Sequence, residues 1–356
     1  MEDRFNDIVY LIKQAQSNAF RAVNIELINL YWNVGIYIKQ RIADTSWGSK
    51  AIDELALFIQ KNHPDLKGFS RAGLYRMVQF YDIYSENGFV APLVRQINRD
   101  KNNATEIVAP LARQFEPQDI RDTILVQLSW TNHLIIFARC KTPEEREFYI
   151  RQSIQERYSK RELDRQISAS LFERSRSGKV QSSGSVPNEI SNAFKDRYVF
   201  EFLNLPEPHS ESDLQKSLIT QMKNFILELG KDFLFIDQEY KVQVGSSDFY
   251  IDLLFYHRGL QCLVAFELKA DKFRPGHLGQ LNFYLEALDR DVKKPNENPS
   301  IGVLLCNDKD KEVVEYALSR SLSPTMVAEY NTQLPDKKLL QKKFHQLFKD
   351  ADKDKT

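Results

Sequence analysis

The sequence predicts a two-domain α+β protein: an all-helical N-terminal half, then an α/β half built on a mixed sheet. Three observations carry that expectation. Up to about residue 175 the apolar residues recur at spacings of three and four, the period of a helix with one buried face. After Gly230 the text turns to runs of strand-formers separated by turn residues and shorter helical stretches. Between the two halves lies SRSGKVQSSGSVP, rich in Ser and Gly and poor in apolar residues, a linker composition. The expected divisions are a helical domain over 1–175, a linker over 176–194, a sheet domain over 195–335 and a charged tail over 336–356.

The helical half opens with Ile8, Leu11, Ile12, Ala15 and Ala19, and a second apolar run follows through Leu27, Leu30, Tyr31, Val34 and Ile38. Asp53 to Gln60 is another helical stretch, closed at His63-Pro64. Ser70 is a good N-cap for a helix whose stripe is Leu74, Met77, Val78 and Tyr81. Two helices around a Gly-containing turn give a helix-turn-helix layout. Groove reading by the Arg71–Arg76 helix is one meaning of it; ordinary helix packing is the other and the more common. Thr142-Pro143 with Glu145, and Ser159 with Glu162, mark two further helix starts.

In the second half, Leu214, Leu218, Met222, Phe225 and Leu229 predict a helix stopped by Gly230. FLFIDQEYKVQV, SDFYIDLLFYH and LQCLVAFELKA predict an antiparallel meander, turned at Gly245-Ser246 and Arg258-Gly259. Pro275 opens a helix, IGVLLC is a buried strand, KEVVEYALSR a helix and TMVAEY a short strand. Residues beyond Lys337 are Lys-rich and read as a fraying helix.

Composition narrows the class. Apolar residues make up 42 %, ample for packed cores, and the net charge is zero, which disfavours a protein that coats nucleic acid without specificity. The charge is divided unevenly: residues 1–200 carry a net +4 and 201–356 a net −4. That fits phosphate contacts in one half and a metal site in the other, and equally a solvated helix face. No apolar run is long enough for a membrane span, and the acidic start MEDRFNDIVY is no secretory signal. Three scattered cysteines form neither a disulfide framework nor a zinc motif, so a reducing cytoplasm is the expected compartment.

Chemistry enters where charge interrupts apolar strands. Alternate residues of a strand share a face, so Glu267 and Lys269 point the same way, and Asp252 lies on the neighbouring strand among Tyr250, Leu254 and Tyr256. Burying an unpaired charge costs several kcal/mol, so these groups need partners or a cation. Mg²⁺ (or Mn²⁺) accepts carboxylate oxygens, making Asp252 and Glu267 candidate ligands with the Leu268 carbonyl as a further one. Lys269 is placed to orient an attacking water or to face charge developing on a phosphate. The bland alternative is an ion pair on an exposed sheet face.

The order of helix, strands with Asp, strand with Glu-x-Lys, then helix resembles the PD-(D/E)XK nuclease superfamily, whose fold is restriction-endonuclease-like. The likeness to its two-domain YhcG-type members runs along nearly the whole chain. It rests on YWNVGIYI, GFSRAGLYRMVQFY and the LSWTNH…EEREFYI block, then on FYIDLLFYH, FELKADKFRPGHLGQLNFYLEALD, NPSIGVLLC and VVEYAL. The resemblance implies a metal-dependent nuclease that hydrolyses DNA through Asp252, Glu267 and Lys269. It implies a further acidic ligand on the first helix, for which Glu211 is the candidate, unless Glu211 only complements the helix dipole. The superfamily's Pro before the Asp is replaced by Ile251. Gln280 and Tyr284, four apart, resemble the QxxxY element of RecB-like nucleases, giving Gln280 a substrate-positioning role. His257 and His277 flank the motif without such support. DNA is the expected partner, with a protein partner on the helical domain and a homodimer as further expectations. The second reading is a nuclease scaffold that binds nucleic acid or assembles a complex with little or no catalysis.

Overall fold

The computed structural model describes residues 2–43, 50–85, 119–176, 178, 180–184 and 186–337. They fall into two compact units, Met1–Asp164 and Arg165–Thr356. The expected tail helix beyond Lys337 lies outside the described residues.

The first unit is helical. It contains α1 (Glu2–Ala43), α2 (Ala51–Asn62), α3 (Arg71–Ser85), a 3₁₀ turn (Ile124–Gln127), α4 (Trp130–Arg139), α5 (Pro143–Glu156) and the start of α6 (Lys160–Ser168). The two apolar runs expected near the N-terminus lie on one helix of 42 residues. Its second half buries Ile28, Trp32 and Ile36, with Met77 and Phe80 of α3 in the same interior. Gly35 permits the crossing, because a Cβ there would stand 2.3 Å from the Met77 carbonyl oxygen.

The predicted caps are made. Ser70 Oγ accepts from the Gly73 N–H, Thr142 Oγ1 from Glu145 and Ser159 Oγ from Glu162. The LSWTNH block is structural in this unit: Ser129 caps α4, and Trp130 and His133 pack edge-on to Phe80 or tilted against Phe137. Burial pushes the His133 imidazole down to about 4, so it stands neutral between Leu125 O and the Tyr84 hydroxyl. In the helix-turn-helix layout of α2 and α3, Arg71 is held by Asp53 at 2.5 Å and lies over the Tyr75 ring, while Arg76 is exposed.

The second unit is a seven-stranded mixed sheet between helices. After α7 (Leu171–Arg176) come β1 (Gln181–Ser182), α8 (Asn188–Ser191), β2 (Arg197–Val199), α9 (Glu211–Thr220) and α10 (Met222–Leu229). Then follow β3 (Phe233–Val244), β4 (Ser247–His257), β5 (Cys262–Lys272), α11 (His277–Ala287), β6 (Ile301–Asp308), α12 (Lys311–Leu318) and β7 (Thr325–Asn331). The strand order is β1-β7-β6-β5-β4-β3, with β2 also on β7. As expected, β3, β4 and β5 form an antiparallel meander. The structure adds that β5, β6 and β7 run parallel, which makes the sheet mixed. Leu214 of α9 and Phe225 of α10 share one core with Phe255 and Phe266; Leu281 and Leu285 of α11 share the other with Leu254 and Leu304.

Three features depart from the expectation. The helix over 211–229 is two, broken at Gln221, where the backbone turns to φ −105°, ψ 27°. The segment expected as a linker is part of the sheet unit where it is described: Gln181 and Ser182 pair with Val327 and Met326, and Val180 and Val186 are buried. A two-residue strand has no period for sequence reasoning to detect. The division between compact units also falls earlier, because Arg165 and Arg174 are tied by ion pairs to Glu228 of α10.

Candidate active site

The sheet positions the site where β4 and β5 part. Their ladder runs from His257↔Cys262 only as far as Leu253↔Phe266. One residue beyond its end stands Asp252, whose Oδ2 accepts the Leu268 N–H at 2.8 Å in place of a backbone carbonyl. In a strand the N–H and C=O of one residue point to the same edge, so the Leu268 carbonyl faces the Asp252 side as well.

The alternation of β4 also breaks at this point. Leu253 and Phe255 belong to one core and Leu254 to the other, as a period of two requires, yet Ile251 joins the core of Leu254. On β3 the break is matched at Glu239, which adopts φ +47° between Gln238↔Leu253 and Tyr240↔Ile251. Asp252 thus sits at a kink shared by two strands.

Glu267 and Lys269 emerge from β5 on one face, as strand alternation predicted. Lys269 Nζ donates to Glu267 Oε1 at 2.9 Å and reaches Glu211 Oε2 at 3.5 Å. Glu211 is the first residue of α9, whose start is fixed by a capping box of Ser210 and Asp213. One turn on, Gln215 Nε2 donates to the Asp252 carbonyl at 3.2 Å, tying the helix to β4. Sequence reasoning did not single out Gln215 or Glu239. The i+4 spacing from Glu211 was a usable signal for Gln215; nothing in the text marks a left-handed Glu239.

Burial sets the electrostatics. Desolvation, then the neighbouring Asp252 charge, pushes the Glu267 carboxyl up to about 7 despite its hydrogen bond from Lys269. Burial also raises Asp252, against the Leu268 N–H and the Lys269 charge, while Glu211 and Glu239 add to the rise. Burial would lower the Lys269 ammonium; the hydrogen bond and charge of Glu267, with the charges of Glu211 and Asp252, together outweigh it and leave it raised. Glu267 is 1 % exposed, and its Oε2 is buried without a hydrogen-bond partner. An orphaned carboxylate oxygen beside a second carboxylate is the donor set of a hard cation. Among the described residues no three His, Cys, Asp or Glu groups are gathered to hold a metal. Glu211 is brought to Lys269, which leaves Asp252 and Glu267 as the two neighbouring buried carboxyls.

The remaining predicted residues divide. Gln280 and Tyr284 lie on α11, with Gln280 Nε2 donating to the Tyr284 hydroxyl at 2.7 Å, and the charges of Glu267, Asp252 and Lys269 reach that hydroxyl. His277, at the start of α11, feels Lys269 and Glu211, and burial lowers its pKa. His257 is not brought in: it is buried at the other end of β4, accepting from the Leu260 N–H and packing edge-on to Phe233.

Comparison with known proteins gives the family of the chain. The YhcG PDDEXK nuclease domain matches residues 191–345, and the DUF1016 N-terminal domain matches 7–108 and 101–174. The Escherichia coli (strain K12) protein named "Putative nuclease YhcG" is 30 % identical over 353 residues, spanning 94 % of this chain and 90 % of that one. The chain belongs to the YhcG family. Its second unit is therefore a PDDEXK nuclease domain, and the resemblance drawn from the motifs holds along both halves. Two solved structures also align. A repair endonuclease from Pyrococcus abyssi is 17 % identical with a TM-score of 0.25, covering 37 % of this chain and 50 % of its own. An EndoMS-dsDNA complex is 18 % identical with a TM-score of 0.25, covering 38 % and 48 %. The chain spans about half the length of each of these structures. Among the described residues no helix is long and apolar enough to cross a membrane.

Proposed function

We propose that this YhcG-family protein hydrolyses DNA phosphodiester bonds with Mg²⁺, or Mn²⁺ in its place, using Asp252, Glu267 and Lys269. The observation that carries the reading is the buried, unpartnered Oε2 of Glu267 between Asp252 and Lys269. Asp252 and Glu267 would hold the cation, with the Leu268 carbonyl on the same edge, while Glu211 contacts Lys269. A bound divalent ion supplies Lewis-acid stabilisation of phosphate charge and a more acidic water.

The protein's own groups do the rest. Asp252 is held in place by the Leu268 N–H on Oδ2, which leaves its Oδ1 as the oxygen that would meet the cation. Lys269, fixed between Glu267 and Glu211, presents a positive charge to the attacking water and to charge developing on the phosphate. Gln280, hydrogen-bonded to the Tyr284 hydroxyl on α11, would position the phosphodiester backbone. The helical unit would contribute DNA contacts or a protein partner.

Purified protein incubated with supercoiled, linear and branched DNA tests the reading. Cutting should require the divalent ion and fall at least about a hundredfold in Lys269→Ala and in Asp252→Asn. Metal-dependent cutting that persists in both variants rejects the site. Protein that binds DNA yet cuts no substrate supports the scaffold reading instead.

A further inference from the structure

Every side chain from Phe5 to Val23 of α1 is solvent-exposed, although the stretch is strongly apolar. Phe5 is 60 % exposed, Ile8 55 % and Ile12 52 %. These three begin a heptad seam of alternating three- and four-residue steps that continues through Ala15, Ala19 and Ala22. The seam is graded: its large residues lie in the N-terminal half and its alanines in the C-terminal half.

We propose that this arm of α1 pairs with the same arm of a second copy as an antiparallel two-helix coil. In that arrangement Phe5 of one copy faces Ala22 of the other, Ile8 faces Ala19 and Ile12 faces Ala15. Every layer then combines one large and one small side chain, so the helices keep a constant separation. A parallel pair would set Phe5 against Phe5 at one end and Ala22 against Ala22 at the other, splaying the helices or leaving voids. The seam is thus complementary to itself only under a two-fold axis, the condition for a closed dimer.

Charge agrees with the same orientation. Residues 8–25 contain two charges, Lys13 and Arg21, both basic, and Asp7 lies at the other end of the arm. Antiparallel pairing carries Asp7 of one copy to the end of the other that bears Arg21, and it sets the helix dipoles head to tail. The size is sufficient. Nineteen residues of helix run about 28 Å, and covering the half-exposed seam on both copies removes on the order of 1,000 Å², the lower range of specific interfaces. This pairing stands whether or not the nuclease reading does.

Light scattering on the full chain at micromolar concentration should report a dimer. Ile8→Glu with Ile12→Glu, at positions that are exposed in the monomer, should keep the helical circular dichroism and weaken dimerisation at least about a hundredfold. Orientation is read by mixing Ile8→Cys chains with Ala19→Cys chains under oxidation; the three native cysteines are buried. Disulfides should form between the two variants and not within either, since like positions would lie about 16 Å apart along the axis, beyond disulfide reach. A monomeric wild type overturns the proposal, as it would if another segment or a different partner covers the arm. So does a dimer indifferent to the double Glu variant, or Ile8→Cys chains that cross-link with themselves.

Discussion

On the proposed reading, a proton and a cation would compete for the buried carboxyl of Glu267. Its pKa of about 7 comes from burial beside Asp252, so below that pH the oxygen needed by a metal is protonated. Mn²⁺ affinity is expected to be about tenfold weaker at pH 6 than at pH 8, following the deprotonated fraction; a flat profile by titration calorimetry would reject Glu267 as a ligand. The same shift has a stability consequence in metal-free protein. The folded value is raised above the ordinary 4.5, so the contribution of this group is fully present below pH 4.5 and is lost as pH rises through 7. Metal should therefore raise the melting temperature more at pH 8 than at pH 6. The three charged residues were legible in the sequence because they interrupt apolar strands. Gln215 and Glu239 were not, since their places depend on a helix docking and a backbone kink that no local pattern records.

Among the elements, α1 and β4 show how packing overrides period. The second half of α1 crosses α3 so closely that Gly35 has no room for a side chain. Gly35→Ala is expected to cost about 3 kcal/mol through clash with the Met77 carbonyl, measured as a shift in the urea midpoint. An unchanged midpoint would mean the helices separate freely there. In β4 the strand period is broken at Asp252, opposite Glu239. Sequence reasoning placed Asp252 on the neighbouring strand among Tyr250, Leu254 and Tyr256. It did not foresee the kink, beside which Asp252 stands at the end of the β4–β5 ladder and caps the Leu268 N–H. The helix expected over 211–229 breaks for a reason equally invisible in its apolar stripe, since both pieces keep that stripe against the same core.

At the scale of the whole sheet unit, one buried acid ties its parts together. Glu228 is fully buried and accepts from Arg165 and Arg174, each at 3.0 Å, with Lys195 3.5 Å away. Burial would raise its pKa, but the three cations outweigh that and hold it well below the usual carboxylate range. Glu228→Ala would remove the carboxylate these cations share, leaving Arg165 with Glu201 and Arg174 with backbone carbonyls, at a cost of about 3 kcal/mol. Chemical unfolding of the intact chain reads it, and a loss under about 1 kcal/mol would show the network to be dispensable. The network also explains why residues after Arg165 join the sheet unit rather than the helical one. Periodicity, capping residues and turn glycines are local, so the sequence by itself determined the helical first half, the meander, the mixed sheet and the shared face of Glu267 and Lys269. Tertiary structure alone decided the small strands β1 and β2, the two-strand kink that aims Asp252, and the contact of Glu211 with Lys269. Those features join residues far apart in the chain, and their energy exists only once the sheet and its helices have packed.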